Sequence, residues 1–175
     1  NKFIGYSTIK KKKFKSYSKK YVMLLNAILK VFSKNLNNSR LIDKSQINTL
    51  NVKFIDYALK DCSPYYVLVV SNPYAIIAKN FINLGQHNEE NLIYSIEHYK
   101  NIINKCLKDL QNTKNKYLII NFDNFLSRPE QIIKKIYVFL ELKFNKNYMP
   151  KKDDLYRIKS TDYKWYPIRK NTHAK

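Results

Sequence analysis

The side chains in this chain whose types and positions could do chemistry stand at the ends of two apolar runs. The first run, Tyr65 to Val70, is six strand-forming residues that feed straight into Ser71-Asn72-Pro73 and then an apolar-periodic segment. The second, Tyr117-Leu118-Ile119-Ile120, feeds into Asn121-Phe122-Asp123-Asn124-Phe125, with Ser127-Arg128-Pro129-Glu130 and a further periodic stretch behind it. A strand that ends in a turn and a helix presents its carboxyl edge as a ligand site. Other chemistries are poorly supplied. Cys62 and Cys106 have no CxxC spacing and no His at ligand distance, which argues against zinc and for two buried thiols. His87 and His98 have no partner at a useful spacing, so structural or solvated roles are expected. With glycine only at positions 5 and 85, no Gly-rich phosphate loop or dinucleotide fingerprint can be built, and a nucleotide site must rest on other groups.

Charge sets the class of partner. The 175 residues carry 33 Lys and Arg against 13 Asp and Glu, a net +20, and such a field favours nucleic acid, anionic lipid, sulfated glycans or a phosphorylated co-substrate. The same charge has a plainer origin, because Lys, Asn, Ile, Tyr and Phe are enriched together and all have A/T-rich codons. The basic run Lys10 to Lys20, broken by Phe14 and Tyr17, reads as a solvated tail or helix start before it reads as a nucleic-acid arm.

The elements that must position these groups follow from periodicity. A chain of this length forms one domain able to bury roughly 70% of its unfolded surface. An amphipathic helix is expected from Lys19 to about Leu36, a short strand over Arg40-Leu41-Ile42-Asp43-Lys44, and a helix capped by Ser45 from Gln46 to Asp61. Pro64 turns into the central strand. Pro73 suits the first turn of a helix that runs to a C-cap at Gly85. Asn88 caps the clearest helix, with Glu89 and Glu90 in its first turn and a core-facing stripe of Leu92, Ile93, Ile96, Tyr99, Ile103, Cys106, Leu107 and Leu110. A last helix covers Gln131 to Leu140, and beyond Leu142 only a short strand or turn near Trp165 is expected. Tyr21 to Phe32, with Asn26 and Lys30 inside it, is too short and polar to cross a bilayer, and no secretory signal pattern opens the chain. Two strand-to-helix units point to an α/β fold with a parallel sheet.

Taken in order, Asp43-Lys44-Ser45, the apolar strand with Ser71-Asn72-Pro73, Asn121-Phe122-Asp123-Asn124-Phe125 and Phe139-Leu140-Glu141-Leu142 resemble the carboxyl-terminal two thirds of a sulfotransferase, nearest the tyrosylprotein and glycan-type branch. There the corresponding motifs read Arg-Asp-Pro, Tyr-Glu-Asp-Leu and Phe-Leu-Gly-Leu. The resemblance spans about residues 40 to 142 and has a weaker echo at Lys159-Ser160-Thr161-Asp162. It implies a three-layer parallel sheet flanked by helices, of the P-loop-like sulfotransferase type and incomplete in this chain. It divides the sequence into a basic amino-terminal segment and helix (1–38), an α/β core (39–142) and a basic aromatic tail or donor-covering flap (143–175).

What the resemblance implies for function is transfer of a sulfuryl group from 3′-phosphoadenosine-5′-phosphosulfate to a hydroxyl or amine of a protein or glycan, without a metal. Lys44 matches the lysine that the family uses beside the sulfate, where it neutralises charge developing on the bridging oxygen. Ser71 and Lys79 match the two 3′-phosphate positions, with serine in place of the family's arginine. Phe122 stands where the family commonly has tyrosine, and Asp123 at the acidic position beside it. Lys159 and Ser160, with Lys164, Arg169 and Lys170, correspond to a late loop over the donor. The family's phosphosulfate loop has no counterpart before Lys44, which makes the chain either part of a longer enzyme or a relative without activity. Family analogy places eukaryotic members in the Golgi lumen and bacterial ones in the cytoplasm. The alternative is a noncatalytic basic module that binds nucleic acid or acidic glycans through Lys10 to Lys20 and the tail. A kinase or nucleotidase is disfavoured, since no P-loop lysine, metal-ligand pair or Gly-rich turn is present.

Overall fold

The computed structural model describes residues 8–32, 41–83, 88–149, 155–157 and 165–167. Two compact units divide the chain, residues 1–66 with 80–117 and residues 67–79 with 118–175.

In the first unit a 3-10 turn, Lys11–Lys13, leads into helix α1 (Phe14–Phe32). The basic run is thus a helix start, and α1 begins five residues earlier than the periodicity predicts. It is held by aromatic edges, with the Phe14 and Tyr21 rings 5.5 and 5.7 Å from Phe54 and Phe14 also 5.6 Å from Tyr57. Phe54 lies on α2 (Val52–Ala58), whose Val52, Phe54 and Ile55 are buried, each contributing roughly 1.5–3 kcal/mol relative to exposure.

The single helix expected over 46–61 is two pieces, a 3-10 helix Gln46–Leu50 and then α2. Asn51 explains the break. Buried between the pieces, its amide donates to the Ile47 carbonyl (2.9 Å) while its Oδ1 accepts from the Ile9 N–H (2.8 Å), side-chain bonds that compete with a continuous helix. Ser45 occupies the N-cap position but makes no capping bond, and residues 41–45 are irregular rather than a strand.

Helix α4 (Glu89–Gln111) begins as expected, with Asn88 Oδ1 accepting from the Asn91 N–H at 2.9 Å. Its buried side holds the carboxyl-terminal part of the expected stripe, with Cys106 and Leu110 buried and Ile96, Tyr99, Ile103 and Leu107 half-buried, and adds two polar residues. Ser95, Cys106, Asp109 and Leu110 are buried, whereas Leu92 and Ile93 are exposed. Polar groups are tolerated because each is bonded: Ser95 Oγ donates to the Asn91 carbonyl, and Asp109 sits between Lys53 of α2 (3.2 Å) and Lys105 (2.6 Å). Cys106 is buried and free, its thiol pushed up to about 11 by burial first and the Asp109 charge second, whereas Cys62 is exposed rather than buried.

Strands β1 (Tyr66–Val70) and β2 (Tyr117–Asn121) form a two-stranded parallel sheet. The Tyr66 N–H donates to the Lys116 carbonyl at 3.0 Å, which in a parallel ladder sets residue 66 opposite 117 and 70 opposite 121. The described residues are largely helical and do not carry the three-layer sheet expected from the sequence. At the amino edge Asp56 ties the strand entries together, accepting from the Tyr66 hydroxyl (2.7 Å) and the Asn115 amide (2.8 Å). Burial, then that bond to Asp56, pushes the Tyr66 hydroxyl above its ordinary range.

The second unit holds the carboxyl edge of the sheet, the start of α3 (Pro73–Asn83), α5 (Phe122–Ser127), α6 (Pro129–Phe139) and a hairpin of β3 (Leu155–Arg157) with β4 (Trp165–Pro167). The hairpin pairs Tyr156 with Tyr166 and realises the strand expected near Trp165. Helix α6 ends in a left-handed cap. Glu141 has φ of 55°, its N–H donates to the Val138 carbonyl (3.0 Å), and the Leu142 N–H reaches back to Tyr137 (2.8 Å). Those two bonds are the Schellman pattern, in which glycine is the usual residue at the position Glu141 fills.

Candidate functional site

Each parallel strand ends by running directly into a helix start, and the same device shapes both ends. Asn72 Oδ1 accepts from the Tyr74 N–H at 2.9 Å, with Pro73 at the first helical position of α3. Asn121 Oδ1 accepts from the Asn124 N–H at 3.0 Å and starts α5, so the second strand ends at Asn121 and Phe122 to Phe125 are helical. Ser71 and Phe122 therefore stand at equivalent places, each one residue beyond a strand end, on the carboxyl edge of the sheet within one unit.

Ser71 is half-buried, and its Oγ is buried without a hydrogen-bond partner among the described residues. An unpaired buried hydroxyl costs about 1–3 kcal/mol unless a ligand supplies the bond. Lys79 is exposed on α3. Helix geometry puts it about 9 Å along the axis from Pro73, with the Cα–Cβ bond tilted toward the helix start. The α3 amino terminus adds a partial positive charge at this edge. Phe122 packs its ring on Phe125, centroids 6.0 Å apart, and Asp123 is exposed in the first turn of α5.

Lys44 belongs to the other unit and is exposed. What fixes its segment is Tyr21, whose hydroxyl donates to Asp43 Oδ2 at 2.8 Å. Burial first, then the Asp43 bond and charge, raises the Tyr21 hydroxyl above its usual range. The sequence offers no signal for this tie, because Tyr21 and Asp43 are 22 positions apart and tyrosines are common here. Lys159 and Ser160, like Lys164, Arg169, Lys170, His87 and Gly85, lie outside the described residues. His98 stacks on Tyr94, ring centroids 5.6 Å apart, as a packed helix residue.

Among the described residues no group of His, Cys, Asp and Glu is arranged to hold a metal ion, and no helix is long and apolar enough to cross a membrane. A pocket of about 160 Å³ lies at the opposite, amino edge, lined by Ser63, Pro64, Tyr65, Lys114, Asn115 and Lys116. Its chemistry is slight: Lys116 lies over the Tyr65 ring at 5.4 Å and Asn115 is engaged with Asp56.

No protein-family model matches the chain, and no curated protein matches it in sequence. Among solved structures it resembles the sulfotransferase domain from the curacin biosynthetic pathway, with 16% identity and a TM-score of 0.56 over 77% of this chain. That overlap spans 48% of the other domain, so the chain corresponds to about half of it. The likeness lies in backbone arrangement, and it shows that the chain has a sulfotransferase-like fold.

Proposed function

We propose that this chain supplies the carboxyl-terminal part of a sulfotransferase, of the protein- or glycan-modifying kind, and that the carboxyl edge of β1 and β2 receives the 3′-phosphate side of 3′-phosphoadenosine-5′-phosphosulfate. The observation that carries the reading is the unsatisfied Ser71 Oγ beside the start of α3, within a sulfotransferase-like fold. Ser71 donates one hydrogen bond to a phosphate oxygen, and Lys79 adds a point charge where the family places a second contact. Phe122 offers a ring face in place of a tyrosine contact. By the family resemblance, Lys44 is assigned to negative charge that builds on the oxygen leaving the sulfate, and Lys159 and Ser160 to donor binding. The acceptor is a hydroxyl or amine. The three-layer parallel sheet belongs to this reading as the architecture of the whole protein.

Support comes from agreement between the strand-to-turn positions and the fold likeness; the basic field adds attraction for a polyanionic donor. A noncatalytic basic module is the competing reading, favoured by the exposed Lys11, Lys12 and Lys13. Thermal unfolding with adenosine 3′,5′-bisphosphate, against AMP, separates the two. Selective stabilisation that disappears in Ser71→Ala and Lys79→Ala supports the donor edge; equal response to both nucleotides refutes it.

A further inference from the structure

Helix α1 is apolar on two sides, and only one of them is packed. Phe14 and Tyr21 meet Phe54, with Val22, Leu25, Ile28 and Leu29 half-buried around the same side. At about 100° per residue, Lys20, Leu24, Ala27 and Val31 fall on one line along the opposite side, flanked by Met23 and Lys30. Met23, Leu24 and Val31 are 70%, 58% and 73% exposed, and Ile42 in the following segment is 84% exposed. A helix with both sides apolar is ordinarily enclosed, and among the described residues nothing covers this second stripe.

Charge identifies the partner. Lys11, Lys12, Lys13, Lys15, Lys19 and Lys20 are all exposed around the amino-terminal end of α1, and the helix contains no acidic residue. Cations at a helix amino terminus oppose its dipole, so they do not serve the stability of α1 itself. An anionic surface offsets both that repulsion and the dipole. Nucleic acid would engage the lysines and leave Met23, Leu24 and Val31 in water; a lipid headgroup layer accepts lysines and apolar side chains from one helix face. The helix is too short in apolar length to span, which leaves it lying in the interface plane.

We infer that the outer face of α1 docks on an anionic phospholipid surface, with Leu24, Ala27, Val31 and Met23 entering the headgroup boundary and the lysines from Lys11 to Lys20 contacting lipid phosphates. The protein so bound is peripheral to the membrane, and the donor edge described above plays no part in the binding.

Co-sedimentation of the full chain with phosphatidylcholine vesicles, with and without about one third phosphatidylserine at about 0.1 M salt, tests this. Binding is expected only to the anionic vesicles. Replacing Lys12, Lys13 and Lys20 together by Gln weakens it on the order of 100-fold, at about fivefold per lysine. Leu24→Ser with Val31→Ser weakens it about tenfold or more, while circular dichroism shows an unchanged helix content because both positions are exposed. Equal binding to neutral vesicles overturns the inference, as does a serine variant that binds like the parent chain. An oligonucleotide bound in place of vesicles, or a self-association that the serine pair abolishes, overturns it in favour of nucleic acid or of a second copy.

Discussion

Replacing Glu141 by glycine will make the protein more stable, although glycine ordinarily weakens helical segments. The reason is local. Glu141 sits at φ of 55° after α6, with both Schellman bonds formed, so the carbonyls of Tyr137 and Val138 depend on a left-handed residue. A residue with a Cβ pays about 1–2 kcal/mol for that conformation, whereas glycine adopts it freely. Against this stands the larger freedom of glycine in the unfolded chain, about 0.5–1 kcal/mol. The difference leaves a net gain of about 0.5–1 kcal/mol from backbone relief alone, which for a chain of this size is a rise in Tm of about 1–4 °C. Glutamate at a helix carboxyl terminus also opposes the dipole, so Glu141→Gln is the charge control, expected to gain a few tenths of a kcal/mol, about 0.3. Differential scanning calorimetry and urea unfolding of the parent, Gly and Gln forms separate the two shares. A Gly form no more stable than the Gln form would refute the reasoning, because the left-handed cap would then carry no strain to relieve.

Other outcomes follow from the packing. Asp109→Ala should cost about 2–3 kcal/mol in urea unfolding, below the 3–5 typical of a stranded buried charge, because Lys53 and Lys105 can turn to water once released. Tyr21→Phe should cost about 1 kcal/mol by removing the hydroxyl that holds Asp43, and hydrogen exchange should quicken over residues 41–45 ahead of the rest of the unit. In the native protein at neutral pH a maleimide should label Cys62 quickly and Cys106 slowly, since Cys106 is buried with its thiol at about 11; equal rates would contradict the packing of α4. The Lys134 hydrogen bond, then its charge, holds the Glu130 carboxyl below its usual 4.5. Its folded value being depressed, this pair stabilises at pH above that value and loses its effect on acidification. Lys134→Ala should therefore reduce the difference between neutral and acid stability.

The strand-to-helix punctuation was readable because it rests on local chemistry. Six strand formers before Ser71-Asn72-Pro73, and Asn88 before two glutamates, place β1, α3 and α4 without reference to the rest of the fold. Reading failed where a long-range bond decided the backbone. Asn51 looks like an ordinary helix residue until Ile9, 42 positions away, donates to it. On α4 the periodicity found Cys106 and Leu110 but missed Asp109, since the lysines of two helices bury a carboxylate that periodicity assigns to the surface. Asn121 hid α5, because an apolar run continuing into Phe122 and Phe125 looks like strand when the capping bond to Asn124 is unseen. At the candidate site, position was legible and satisfaction was not: Ser71 could be placed at the strand end, but its lack of a partner appears only in three dimensions.

The claim that the carboxyl edge of β1 and β2 is a donor site is tested most directly by calorimetric titration of the chain with adenosine 3′,5′-bisphosphate, using AMP and a short oligonucleotide as controls at low and moderate salt. The account predicts binding that requires the 3′-phosphate and falls about tenfold or more in Lys79→Ala, as expected for loss of one charge-assisted contact. No preference over AMP, together with oligonucleotide binding that collapses with salt, would contradict it and leave the lysines as a general anion-binding surface.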